Sequence, residues 1–209
     1  LAWTGRYEDF LEGRYSAKTR ESYARDEARL LERCGQALDL REYREPAQVD
    51  EFAGHLARLR GHGTPIGRPV EPVALKATAQ RGTLRAFALF ADGEPVAALA
   101  LEAHGEVLHY LCSVEHDDFR QWSAGTVLHL QAIRRVFAEP GLRYLDFRPG
   151  ECEVKRQFAN GALRGATVLC LRRTLRHRLL LKLYGWLYAT PRSPGAQPVV
   201  PDEVRELVA

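Results

Sequence analysis

Methionine is missing from this 209-residue chain, position 1 included, and lysine is nearly so, with 4 against 26 arginines. A start at Leu1 without an initiator reads as a processed or partial chain. No stretch approaches the roughly 18 uncharged apolar residues that a membrane span requires. No basic-then-apolar leader opens the sequence. Cysteine is scarce: Cys34, Cys112, Cys152 and Cys170 form no C-x-x-C pair and no zinc-ligand spacing, which reads as reduced thiols. The formal net charge is only +3, so the total lends no support to a nucleic-acid role. A Walker loop, a G-x-G-x-x-G turn, a nucleophile elbow and an H-E-x-x-H helix are all absent. These absences leave a soluble, cytoplasmic protein without a metal as the expectation.

What is present is ordinary globular material: 45% hydrophobic and 27% charged residues, enough for a core without disulfides. Ser16 and Gly35 bracket a helical segment with Tyr23, Ala24, Leu30, Leu31 and Cys34 on one face. Its arginines 20, 25, 29 and 33 interleave with acidic residues, as in a solvated helix laced with ion pairs or a basic ridge that meets an anionic ligand or surface. A short strand, ALDLREY, follows, and Pro46 opens a second helix. Gly61–Pro69 is the clearest loop, and another short helix covers about 71–80. From Arg81 the pattern changes to three antiparallel strands across 83–114, turning at Asp92-Gly93 and at His104–Glu106. A helix from about Thr126 to Pro140, a strand in LRYLDF, a short helix after Gly150 and a last strand within 162–173 complete an α+β domain.

Two segments carry candidate chemistry. In the first, a strand ending at Val114 passes through a polar loop with Arg120, Ser123, Ala124 and Gly125 into a helix at Thr126. Unpaired N–H groups and the positive dipole at a helix start suit a phosphate, although simple capping accounts for the same residues. In the second, Asp146 lies between Leu145 and Phe147 in a strand expected to be buried, where an unpaired carboxylate would be costly. Glu153 and Lys155 follow it and read equally well as a structural ion pair. His104, His109, His116 and His129 cluster in sequence, and His109, on a strand, is a candidate acid/base group.

The order of these pieces resembles the GNAT acyltransferase superfamily over about Trp3–Arg173. Within it, the chain is similar to the CelD/BcsL-like branch of cellulose and exopolysaccharide biosynthesis, related in fold to Fem-type aminoacyltransferases. The resemblance rests on the arginine-rich helix KTRESYARDEARLLERCG, the helix PAQVDEFAGHLARL, the hairpin LRAFALFADGEPVAALALEAHGEVLHYL, Ser123-Ala124-Gly125, Asp146-Phe147, and Gly150 through Lys155. Ala124 stands where the branch usually has proline, and Val154 where it usually has tyrosine.

The resemblance implies a GNAT fold, a mixed and mostly antiparallel sheet flanked by helices, over residues 1–173. Residues 174–209 follow as a basic amphipathic helix and tail. It also implies transfer of an acyl group, acetyl in the first instance, from acyl-CoA to an amine on an amino sugar or a cell-envelope or exopolysaccharide precursor. Acyl-CoA would lie between two splayed central strands, held at Val114, Arg120, Ser123, Ala124, Gly125 and Thr126. His109, Asp146 and Glu153 are the candidate bases, with Lys155 to anchor an anionic acceptor or to orient Glu153. The alternatives are tRNA-dependent aminoacyl transfer, which needs a basic groove, and a GNAT module that only binds. The helix at 174–189 offers an apolar face to the domain, to a second subunit or to the inner membrane surface. Members of the branch often carry a further domain ahead of this one.

Overall fold

The computed structural model describes residues 1–35, 38–63, 65–67, 70–148 and 153–161, with Thr174, Arg176, Leu179, Leu180 and Lys182. The chain groups into two compact units, Leu1–Ala162 and Leu163–Ala209. In the second, Arg176, Leu179, Leu180 and Lys182 are helical. The strand expected at 162–173 and the rest of the tail lie outside the described residues.

In the first unit the elements are α1 (Tyr7–Arg14), α2 (Ala17–Arg33), β1 (Leu38–Tyr43), α3 (Val49–Arg60), β2 (Ile66–Gly67) and α4 (Pro72–Gln80). They continue as β3 (Leu84–Ala91), β4 (Glu94–His104), β5 (Val107–Glu115), α5 (Ala124–Phe137), β6 (Tyr144–Asp146) and α6 (Glu153–Phe158). The strands form one sheet in the order β1-β3-β4-β5-β2, with β6 also pairing β5. All the pairings are antiparallel except β5 with β6. The expected GNAT architecture, a mixed and mostly antiparallel sheet between helices, is the one observed.

Local chemistry explains most boundaries. The Ser16 hydroxyl caps α2 by accepting from the Thr19 N–H at 3.2 Å. Asp92 and Gly93 both have positive φ, 51° and 82°, as the tight turn joining β3 to β4 requires. Tyr7–Arg14, unassigned by periodicity, is helical because acidic residues open it and Arg14 closes it, in line with the dipole. The charges of α2 reach other elements: Glu27 accepts from Gln131 at 2.8 Å, and Arg33 lies over the Trp122 ring. Only Leu30 of α2 is fully buried, and Ala24 faces solvent, so the expected apolar face is narrower than its spacing implied.

Both faces of β3 and β4 are covered, which is why these strands read as continuous apolar runs. Phe87, Leu89, Leu99 and Leu101 pack with α5 through Val127, Leu128, Ile133 and Val136. On the opposite face Ala86, Ala88, Ala98 and Ala100 leave room for Phe52, Leu56 and Leu59 of α3 and Leu75 of α4. Large side chains oppose large on one face and small on the other. The sheet therefore sits close to α3.

Two features set up the site. The register of β4 against β5 shifts between Ala100 and Leu101, where Cys112 and Tyr110 are their partners, so Leu111 is an extra residue in β5. The bulge turns Tyr110 and Ser113, three residues apart, toward the same helix layer. Second, the parallel pairing of β5 with β6 covers only Val107–His109 against Tyr144–Asp146. Replacing Phe87, fully buried, with alanine is expected to cost about 3–5 kcal/mol, read from urea unfolding. A loss under about 1 kcal/mol would show that the ring is not enclosed as described.

Candidate active site

His109 and Asp146 are the last cross-strand pair of β5 and β6. His109 Nδ1 lies 3.3 Å from Asp146 Oδ2, with the side chains 32% and 51% exposed. The expectation that Asp146 is buried is corrected here. In β6 the burial alternates, so Leu145 points into the core and Asp146 points out. Its carboxylate needs no rescue from desolvation. Oδ1 accepts from the Arg148 backbone N–H at 2.8 Å, and Arg148 itself sits at φ 61°. Lys155 donates to the Arg148 carbonyl at 2.5 Å, which ties the start of α6 to this corner. Glu153 is the first residue of α6, and its side chain lies outside the described set.

His109 does not stand alone on its face. The His104 ring centroid is 5.6 Å away, and His104 Nε2 is 3.3 Å from Glu102 Oε1. Arg81 also reaches Glu102, at 2.7 Å. Burial works to raise the Glu102 carboxyl, but the hydrogen bonds from Arg81 and His104 prevail and hold it below the ordinary range. A row of partly exposed Asp146, His109 and His104, ending on the mostly buried Glu102, thus crosses the ends of β6, β5 and β4.

The second predicted group is assembled at the other end of β5. Val114 is buried, with its side chain in the α3 layer. A short 3-10 turn, Asp117–Trp122, leads to Ser123, which adopts the left-handed conformation (φ 56°, ψ 36°) and caps α5. The helix begins at Ala124, two residues earlier than expected, because Ser123 makes the reversal that starts it. Ala124 is fully buried. Arg120 is exposed and pairs with Asp117 at 2.7 Å. Gly125 donates its backbone N–H to Glu115 Oε1 at 2.9 Å, so a carboxylate of the chain itself stands at the helix start. Ser123 and Thr126 line an open cleft of about 540 Å³ together with Asp26, Arg156 and Gln157.

Several members of this arrangement were not legible in the pattern. Glu115 lay one residue past the expected strand end. Asp26 comes from α2 and Arg156 and Gln157 from α6, and no local spacing links either helix to the Ser123 loop. Behind the cleft is a buried polar chain. His129 Nδ1 donates to the Gly125 carbonyl at 2.6 Å, and Nε2 lies 3.1 Å from the Tyr110 hydroxyl, which also bonds Ser113. Tyr110 and Phe158 flank the His129 ring. Among the described residues no group of three or more His, Cys, Asp or Glu side chains is placed to hold a metal ion. Nor is any described helix long and apolar enough to cross a membrane.

Residues 17–156 match the family model described as "Acetyltransferase (GNAT) domain". That span holds His109, Asp146, Lys155 and the Ser123–Thr126 loop, and the chain belongs to the GNAT acetyltransferase family, whose activity is acyl-CoA-dependent N-acyl transfer. Among curated proteins none matches this chain. Similar solved structures include a ribosomal-protein-alanine N-acetyltransferase from Brucella melitensis biovar Abortus 2308. It is 17% identical over 65% of this chain and 100% of that one, with a TM-score of 0.47. Another is the aminoglycoside acetyltransferase meta-AAC0020 from an uncultured soil metagenomic sample, in complex with sisomicin. It is 11% identical over 69% of this chain and 99% of that one, with a TM-score of 0.46. A third, AAC(6')-Iy with a bisubstrate analog of CoA, is 16% identical over 66% and 99%, with a TM-score of 0.43.

Burial lowers the His129 imidazole to about 4, opposed only by its bond to the Gly125 carbonyl. A folded-state value below the ordinary 6.5 means that the neutral ring stabilises the native state. That contribution is complete above pH 6.5 and drains away as the pH falls toward 4. It amounts to something on the order of 3 kcal/mol. The difference in unfolding free energy between the wild type and His129→Phe should therefore shrink over this range. Parallel pH profiles would show that the ring is not held neutral.

Proposed function

We propose that the chain transfers an acyl group, acetyl in the first instance, from coenzyme A to a small amine, with His109 as the base that takes the amine's proton. The observation that carries this reading is the His109–Asp146 pair at the point where β5 and β6 part. A carboxylate facing Nδ1 favours the tautomer with its proton there, leaving the Nε2 lone pair outward. The amine nitrogen attacks the thioester carbonyl, the new C–N bond forms, and its proton passes to Nε2. The C–S bond then breaks, and coenzyme A leaves as the thiolate. Asp146 stabilises the imidazolium that results. Arg148 and Lys155 act through Asp146: one donates to it, and the other anchors the carbonyl of the first.

The acyl-CoA is placed along the outer edge of β5, with its diphosphate toward Arg120, Ser123, Ala124, Gly125 and Thr126. What supports this is the α5 N-terminus, where the Gly125 N–H already donates to the Glu115 carboxylate. The cleft lined by Ser123, Thr126 and Arg156 opens beside it. A diphosphate arriving here would replace the Glu115 carboxylate at Gly125. The acceptor is assigned to the amines of amino sugars and of envelope or exopolysaccharide precursors, following the CelD/BcsL-type pattern of Asp146-Phe147 and Gly150 through Lys155. A cytoplasmic location and a role for the 174–189 helix in contact with a subunit or the membrane surface belong to the same reading.

Acetyl-CoA, longer acyl-CoAs and free CoA are expected to raise the thermal midpoint, and no shift with any of them would overturn the reading. His109→Gln and Asp146→Asn should each lower kcat about 10²–10⁴-fold, with KM for acetyl-CoA little changed. Gly125→Leu is a separate check on the phosphate position. A Cβ at Gly125 would lie 3.1 Å from Glu115 Oε2, so the added side chain crowds the anion site. Acetyl-CoA affinity should fall about tenfold or more, the equivalent of one charge-assisted hydrogen bond. Unchanged affinity would mean that the diphosphate binds elsewhere.

A further inference from the structure

The outer edge of β5 has two successive partners. From Val107 to His109 it pairs with β6, and at Cys112 and Ser113 it pairs with β2, through Gly67 and Ile66. Beyond the parting of β5 and β6, β2 therefore lies on the edge where acyl-CoA has been placed. The segment before β2 runs equally close. A Cβ at Gly63 would fall 1.9 Å from the Glu115 carbonyl oxygen, and one at Gly67 would fall 2.5 Å from that of Leu111. Gly67 also sits at φ +96°, where side chains are strained. The glycines here let one backbone lie against another.

We infer that β2 is a stand-in strand, which covers the β5 edge in the free protein and is exchanged for acyl-CoA when the ligand binds. The inference rests on the acyl-CoA position proposed above. The pantetheine arm of CoA is an extended chain carrying two amides, so it can pair with a strand edge as a peptide does. Both cannot hold Cys112 and Ser113 at once. The covering strand is only two residues long. Its pairing is separate from the anchor before it, where Asp117 donates its N–H to the His62 carbonyl at 2.8 Å and the His62 and His116 rings stack. β2 can leave β5 while that anchor stays. A second observation points to a missing ligand: the Arg60 guanidinium lies against Cys112, and its Nη2 is buried with no hydrogen-bond partner among the described residues. With β2 in place one donor beside the bulge is unmet, and a carbonyl of the incoming chain would satisfy it.

Amide hydrogen exchange of the full chain with and without saturating acetyl-CoA tests the exchange of partners. Binding itself is established separately by calorimetry. The expected result is that peptides containing Ile66 and Gly67 lose protection on binding, while those containing Cys112 and Ser113 keep or gain it. If acetyl-CoA binds and Ile66 and Gly67 stay as protected as before, the stand-in role is overturned, and the acyl-CoA reading survives with a different path for the arm. If acetyl-CoA does not bind at all, the reading under Proposed function falls and takes this inference with it. Gly67→Val, which forces β2 off the edge, should tighten acetyl-CoA binding by about threefold or more, because less of the protein is held in the covered state. An unchanged or weaker affinity in a folded variant would count against the inference.

Discussion

An exposed strand edge must find partners for its backbone, and in this protein the outer edge of β5 is the place where that need organises the site. β6 meets it for three residues in parallel, β2 meets it for two more in antiparallel, and the strand then ends at Glu115. The parting of β5 from β6 is what leaves His109 and Asp146 at an open corner. The arrival of β2 is what narrows the gap beyond them. Glu115, the last residue of the strand, closes the sequence of contacts by accepting from the first turn of α5.

The bulge at Leu111 divides this strand chemically. Before it, Tyr110 faces α5, and His109 faces the other way toward Asp146. After it, Ser113 is brought back beside Tyr110, and Cys112 and Val114 enter the α3 layer. Without the extra residue, strict alternation would place Tyr110 and Ser113 on opposite faces. The consequence is two histidines with opposite fates a short distance apart. His129 is buried, flanked by rings and kept neutral. His109 is partly exposed and opposed to a carboxylate.

The opposite layer shows the same economy. Alanines at 86, 88, 98 and 100 let α3 approach the sheet closely, and the C-terminal end of that helix delivers Arg60 to the bulge and the glycine-rich turn to β5. Close packing on one face thus sets what can reach the strand edge. On the α5 face, Glu139 binds both Arg85 and Arg44 with little exposure, which pins the far end of α5 to the sheet. At the near end the Gly125 N–H donates to Glu115.

The family and the sheet could be read before any coordinates. Two apolar strand runs around Asp92-Gly93 and the capped helix after Ser16 are local signals, and local chemistry was enough to place them; the start of α5 came two residues early because of the reversal at Ser123. The candidates His109, Asp146 and Lys155 were legible as residue types in suggestive positions. That His109 and Asp146 meet was decided by the parallel register of β5 with β6, which joins residues 37 apart and leaves no local trace. The exposure of Asp146 was decided by strand parity. Glu115 at Gly125, Arg156 in the cleft and Gly67 against Leu111 are likewise encounters between distant segments. Composition and spacing determined which elements form. Their pairing across the β5 edge, a matter of backbone hydrogen bonds rather than residue identity, decided which of the candidate residues meet.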